Sequence, residues 1–408
     1  MANGLEAATE SKASTLPPGT ASTADCGDFV DSDDEYEFDE LAEDPKLYTQ
    51  GLYYPTFIGD VLANRYRISH KLGHGGFSVV WMADDMLNNR EVALKIMVPG
   101  DSGEHEYHMH DEIANAVSDT SRLLMYHDTF LVPGSLGNHH RVLVLPLQGP
   151  NVRDYVRVKP IAARMSAARQ LLQGLEALHK GGIIHRDLNS ANVMFGLCPL
   201  QSHDTTTTYK YIGRPRRMML PSIQWKPCEL VLPMAPHKEL VTDDILVGDF
   251  GLAIRSGTSV GQKVQSPAIY CAPERVHGID PSFASDIWSY MCIFAELYGG
   301  FPLFWGSANS TVMSFIVDIL GPLPAQWEGS HSGGSYDPEW YSQNREPHPH
   351  LGLENKIPSL RPDITTNELR LVLGILKWGF SYLPENRPTA AQLLDSTIFK
   401  ELMAIYGL

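Results

Sequence analysis

The 408-residue chain is 43% hydrophobic and 20% charged, the composition of a globular protein that is too long for one compact core and long enough for two lobes. Its formal net charge of −16 is lopsided: residues 1–44 hold thirteen acids against the single Lys12, which leaves the remainder close to neutral, and no direct nucleic-acid binding is expected. Cys26, Cys198, Cys228, Cys271 and Cys292 are odd in number and scattered without a C-x-x-C, which argues against a disulfide framework or a zinc site and for a reducing compartment, while the lack of a basic-then-apolar leader and of any long apolar run predicts neither a secretory signal nor a membrane span.

Residues 1–46 read as a disordered acidic tail, rich in Ala, Ser, Thr and Pro at first and then in Asp and Glu. Strand patterning follows. Arg65–Leu72 alternates towards a glycine cluster, Val79–Ala83 returns from it, and an Asn88-Asn89 turn leads into Glu91–Val98. A helix is predicted around Gly103–Ser118, and Arg141–Leu147 fits a short buried strand. From Ser166 onward Leu171, Leu172, Leu175 and Leu178 recur at helical spacing. The Ile287–Tyr298 stretch is apolar on all sides and predicts a helix buried inside a lobe. Strands first and helices later predict an α+β fold with a small β-rich lobe over 47–147 and a larger helical lobe over 148–408. At about 197–244 the pattern dissolves into a threonine run, Thr205–Thr208, and scattered prolines, read as an insertion with little structure of its own.

Five short motifs carry the chemistry. Gly73-His74-Gly75-Gly76-Phe77-Ser78-Val79-Val80 fits G-x-G-x-x-G-x-V with Ser78 at the third glycine, a loop whose backbone can come close to phosphate oxygens. Val92-Ala93-Leu94-Lys95 places a lysine 22 residues after Gly73, as a phosphate-holding strand lysine requires. Its helical carboxylate partner is taken as Glu112, with Glu104 and Glu106 as alternatives that lie closer to the strand. His185-Arg186-Asp187-Leu188 with Asn192 fits H-R-D-L-x-x-x-N, and Asp249-Phe250-Gly251 follows an apolar strand at Ile245–Gly248. Ala272-Pro273-Glu274 closes the series 25 residues after Asp249. One such motif means little, but five in order leave little room for coincidence. The 57 residues from Asn192 to Asp249 exceed what a hairpin needs, and the insertion accounts for them.

On these residues the chain from about Tyr66 onward resembles the eukaryotic protein kinases, whose fold is bilobal. The resemblance implies Mg·ATP as cofactor and a hydroxyl on another protein as acceptor, with Asp187 accepting the hydroxyl proton beside Arg186, Lys95 paired to Glu112, and Asn192 and Asp249 holding Mg²⁺. It implies an ATP pocket of Leu72, Gly73, Gly75, Gly76, Ser78, Val80, Ala93, Lys95, Pro146 and Gln148, with Leu145 at its back. Pro146 lacks an N–H, so Gln148 is expected to supply the donor to adenine. Asp286 resembles the aspartate that braces the catalytic loop, and Glu274 with Arg387 a buried ion pair. A narrower resemblance, to the SR-protein kinases and their fungal-type relatives, rests on 43–55, Ile58-Gly59-Asp60-Val61, Asn64-Arg65-Tyr66, Lys71-Leu72-Gly73 and Phe77–Trp81. It implies a monomeric serine/threonine kinase of cytoplasm or nucleus acting on basic Arg/Ser-rich, splicing-factor-like proteins.

Two departures bear on rate. The family's lysine two residues after the catalytic aspartate is Asn189 here, and Ala191 stands where tyrosine kinases place an arginine. The activation segment's usual threonine is Pro267, with Ser266 beside it. A non-catalytic scaffold of the same fold is therefore the rival reading, whereas a small-molecule kinase would lack the set of Ala272-Pro273-Glu274, Asp286 and Arg387. Leucine replaces Phe250 in many SR-protein kinases, without consequence. His105, His108 and His110 have no cysteine partners and read as helix residues rather than metal ligands. Arg214-Pro215-Arg216-Arg217 reads as soluble surface rather than a nuclear address. Thr258, Ser259 and Ser266 are phosphorylation candidates that could pair with Arg186.

Overall fold

A computed structural model describes residues 27–29, 38, 41–200, 205–220, 226–264, 267–331 and 336–408. In chain order the small lobe contains β1 (Asp28–Phe29), α1 (Lys46–Thr49), β2 (Val61–Leu62), β3 (Tyr66–Gly75), β4 (Ser78–Asp85), β5 (Arg90–Met97), α2 (Asp101–Ala116), β6 (Asp128–Pro133) and β7 (His139–Pro146). A six-stranded antiparallel sheet has the order β2-β3-β4-β5-β7-β6. β5 lies between β4 and β7, which is why Val92–Met97 is buried on both faces and reads as a nearly continuous apolar run broken by Lys95. Trp81, Leu94, Val142 and Val144 form the centre of the core on one face of this sheet.

The large lobe follows through α3 (Val152–Tyr155), α4 (Ile161–Lys180), β8 (Ile183–Ile184), β9 (Val193–Leu197), α5 (Thr205–Ile212), β10 (Arg216–Met219), β11 (Glu229–Val231), β12 (Val241–Val247) and β13 (Ile254–Arg255), then α6 (Pro273–Val276) and α7 (Phe283–Gly299). Helices from Asn309 to Ile405 complete it. The helical stripe of Leu171, Leu172, Leu175 and Leu178 is buried on α4. α7 packs on α4 and is buried on all sides from Ser285 to Gly299. A capping box between Ser282 and Ser285 starts it, and Gly300, at φ 80°, stops it with the left-handed turn that glycine tolerates. The fold is the bilobal α+β arrangement expected. Among the described residues no helix is long and apolar enough to cross a membrane.

Two expectations need correction. The insertion at 197–244 contains α5, which opens on the threonine run, and the strands β10 and β11. The tail is not structureless throughout 1–46 either, because β1 pairs parallel with β10 and Phe38 and Glu43 are buried. Both pieces pack on the small lobe. Leu230 and Val231 join its core, and Glu229 accepts from the Ile58 N–H at 2.8 Å and from Arg217 at 2.9 Å. Tail residue Glu43 ion-pairs with the fully buried Lys71 of β3 and accepts from the Tyr48 hydroxyl. The basic run is accordingly not bare surface: Arg214 lies 3.2 Å from Asp28, and Arg217 is held by Glu229. Strands of two to four residues show no periodicity of their own, and the contacts that seat them, β1 on β10 and Glu229 on the Ile58 N–H, join segments more than a hundred positions apart, so pattern reading cannot find them.

Candidate active site

β3 and β4 turn over a cleft between the lobes. Their register pairs Gly73 with Val80 and Gly75 with Ser78, which leaves Gly76 and Phe77 at the tip. A Cβ on Gly73, Gly75 or Gly76 would meet nothing within 4 Å, so no protein atom crowds the loop at its glycines. Tyr53, between α1 and β2, donates its hydroxyl to the Gly75 carbonyl at 2.5 Å and ties the loop down.

Lys95 projects from β5 into the cleft. Its ammonium donates to both Glu106 oxygens, at 2.7 and 2.8 Å, and to Asp249 at 3.0 Å. Burial opposes the lysine's charge, but the carboxylates of Asp249 and Glu106 outweigh it and hold Lys95 protonated above the usual lysine range. Glu112 is therefore not the partner, and the assignment shifts to Glu106. The reason is helical phase. α2 begins at Asp101, just after β5 ends at Met97, so its second turn already faces Lys95. Glu106, Met109, His110 and Ile113 form the buried face, and six residues beyond Glu106 the helix has turned by roughly 240° from that direction. There Glu112 meets Arg255, and Glu104 meets Arg141 at 2.7 Å.

The catalytic-loop residues come together through pairing distant in sequence. β9 and β12 are antiparallel with Val193 opposite Val247, so Asn192 and Asp249 become neighbours whatever the insertion's length. The Gly248 N–H donates to the Asn192 carbonyl at 2.9 Å. Asn192 Nδ2 donates to Asp187 Oδ2 at 3.1 Å and to the Asp187 carbonyl at 2.9 Å. Burial, followed by the nearby charge of Asp249, pushes the Asp187 carboxyl up to about 7. Buried Asp286 braces the loop by accepting from the backbone N–H of His185 at 2.7 Å and of Arg186 at 3.0 Å. That contact stabilises Arg186 at φ 67°, a costly conformation for a non-glycine residue. Phe250 is fully buried against His110 and His185, with ring centroids 5.2 and 5.5 Å apart.

Arg186 does not reach Thr258 or Ser259. Its guanidinium donates to the carbonyls of Leu252 and Gln262, and Ser259 donates to Asp280 at 3.0 Å. Ser266 lies outside the described residues. Glu274 and Arg387 form a bidentate pair at 2.7 Å for both contacts, with neither side chain exposed. The His105 ring lies 2.9 Å from the Ala253 carbonyl, and among the described residues no cluster of three or more His, Cys, Asp or Glu could hold a metal.

The cleft has a volume of about 520 Å³ and is lined by Leu72, Gly73, Gly75, Ser78, Val80, Ala93, Lys95, Pro146 and Gln148, with Leu145 at the back and Asn192 and Asp249 at the phosphate end. Gly76 is the one expected pocket residue outside this lining. Pro233 and Met234 of the insertion and Arg153 of α3 also line it, and no motif marked them. Met234 is fixed by its N–H to the Lys71 carbonyl at 2.8 Å. The residues fit a nucleotide with its divalent ion. Asn192 spends its amide N–H groups on Asp187, and its side-chain oxygen accepts no hydrogen bond among the described residues; beside Asp249 this makes a pair of hard oxygen donors suited to Mg²⁺. The glycine loop leaves room for phosphates, and Lys95 supplies their counter-charge.

Comparison with known proteins agrees with this geometry. The family model for protein tyrosine and serine/threonine kinases matches residues 66–320. A serine/threonine-protein kinase SRPK of Physarum polycephalum is 29% identical over 340 residues, covering 76% of this chain and 78% of that protein. SRSF protein kinase 3 of Mus musculus is 31% identical over 254 residues, covering 59% of this chain but only 41% of that protein. A solved kinase domain superposes with a TM-score of 0.62 at 18% identity, over 85% of this chain and 99% of that one, and supports the fold. The chain belongs to the protein tyrosine and serine/threonine kinase family, with relatives among the SR-protein kinases.

Proposed function

We propose that this protein transfers the γ-phosphoryl group of Mg·ATP to serine hydroxyls of basic, Arg/Ser-rich proteins, acting as a monomer in the cytoplasm or nucleus. The observation that carries the reading is the Lys95–Glu106–Asp249 contact beside Asp187 and Asn192, which gathers at one end of the cleft the groups that phosphoryl transfer needs. In this reading Lys95 orients the phosphates, Asn192 and Asp249 hold the magnesium that neutralises their charge, and Asp187 orients the serine and takes its proton. The Arg/Ser preference is supported by the SR-kinase relatives and by the segments shared with that family. The same geometry favours Glu106 over Glu112 as a working part: Glu106→Gln is expected to reduce kcat/KM roughly a hundredfold, the scale of a misplaced catalytic group, and Glu112→Gln to change it less than about threefold. Steady-state kinetics of the two variants checks this.

A scaffold without efficient transfer is the competing reading, favoured by the neutral Asn189 and Ala191 in the catalytic loop. The experiment that separates them is transfer from Mg·ATP to an Arg/Ser-repeat peptide and to a neutral serine peptide, with Asp187→Ala as control. Transfer to the first that disappears in the control supports the proposal. Transfer to the neutral peptide alone rejects the substrate class, and no transfer to either, with ATP still bound, establishes the scaffold.

A further inference from the structure

Phosphoryl transfer gathers negative charge on the oxygens of the moving group, and fixed positive charge aimed at them is a large part of catalysis. The catalytic loop lacks its usual cation, because Asn189 and Ala191 are neutral. Among the described residues lining the cleft only Lys95 and Arg153 carry a fixed positive charge, and Lys95 is already committed to Glu106 and Asp249. Arg153 makes no ion pair within 4 Å among the described residues, where the other cleft cation makes two.

Arg153 is also held in a suitable place. It lies in the first turn of α3, which Asn151 caps by accepting from the Asp154 N–H at 2.9 Å and which buried Val152 anchors. Its Nη2 lies 3.5 Å from Asn189 Oδ1. Asn189 is itself fixed, donating Nδ2 to the Asp187 carbonyl at 2.9 Å and accepting from the Ala191 N–H at 3.0 Å. The side chain that replaces the missing cation is thus the resting seat of another cation, supplied by the neighbouring helix α3. At 3.5 Å the contact is at the outer limit of a hydrogen bond, so the guanidinium can leave it for a stronger acceptor. Its planar fork matches phosphate oxygens well.

We propose that Arg153 is a catalytic residue of this kinase that contacts the transferring phosphoryl group in place of the lysine absent at Asn189. The assignment rests on the kinase reading above. The serine Oγ–P bond forms as the bond from Pγ to the ADP oxygen breaks. The electron pair of that broken bond stays on ADP, the serine proton passes to Asp187, and Arg153 remains protonated throughout.

The test uses the full chain with Arg153→Ala, Arg153→Lys, Asn189→Lys and the Arg153→Ala/Asn189→Lys double variant. Two readouts are taken: kcat and KM with the Arg/Ser peptide, and the affinity for Mg·ADP plus peptide with and without aluminium fluoride, a planar mimic of the phosphoryl group. Arg153→Ala is expected to lower kcat by about a hundredfold, as removal of one such donor does elsewhere, with little change in KM for ATP. It is also expected to abolish the fluoride-dependent tightening while binding Mg·ADP normally. Arg153→Lys should be intermediate, and the double variant should recover most of the rate. An unchanged kcat, a rise confined to the peptide KM, a double variant as slow as the single, or no fluoride-dependent tightening in the unmodified protein would each overturn the assignment. If the unmodified protein transfers no phosphate yet shows tightening that depends on Arg153, the kinase reading fails and Arg153 keeps its role at the phosphoryl position.

Discussion

Asp187→Asn is expected to cut the turnover number by about a thousandfold, within the range a positioned general base contributes, without loss of the fold. The substitution keeps the shape and an oxygen able to accept from Asn192 Nδ2, now 3.1 Å from Asp187 Oδ2. The backbone contacts that hold the loop run through Asp286, not through the Asp187 carboxylate. What is lost is the basic oxygen beside Asn192, which burial and the Asp249 charge push up to about 7, in the range where a general base is most useful near neutral pH. The measurement is kcat with the Arg/Ser peptide beside a thermal melt. Retention of more than about a tenth of the activity by a fully folded variant would remove Asp187 from the mechanism.

Arg387→Ala should strongly destabilise the large lobe. Glu274 and Arg387 are both fully inaccessible and joined at 2.7 Å through two contacts. The guanidinium further donates to the carbonyls of Ser381, Tyr382 and Ala284 at 2.7–2.9 Å and lies 5.0 Å from the Trp288 ring centre. Removing it strands a buried carboxylate and three carbonyls at once. Breaking a buried pair in this way costs about 3–5 kcal/mol, enough to lower the melting temperature by roughly 10 °C in a domain of this size. The pair itself need not be stabilising relative to apolar packing, because both charges lost their hydration on burial. A double variant, Arg387→Met with Glu274→Leu, is therefore expected to recover much of the loss. Equal destabilisation of single and double variants in thermal and urea unfolding would mean that packing, and not the stranded charge, dominates.

The sequence by itself determined the two lobes and most of the cleft. Asp187, Asn192, Asp249 and Lys95 are legible because each motif is set by local chemistry: a glycine loop must let phosphate approach, and a loop aspartate must sit a fixed number of residues from its asparagine. The buried faces of α4 and α7 are legible because a helix repeats its environment every turn. Tertiary structure alone decided what depends on relative placement. Glu106 rather than Glu112 meets Lys95 because α2 starts at Asp101, and a shift of a residue or two in a helix start rotates every side chain to a new direction. The tail and insertion gain structure because Phe29 pairs with Arg217 and Glu43 with Lys71, contacts whose free energy arises only after distant segments meet. Arg153 carries no local signature at all, and its significance arises from its approach to Asn189, a residue more than thirty positions away that the fold seats beside α3.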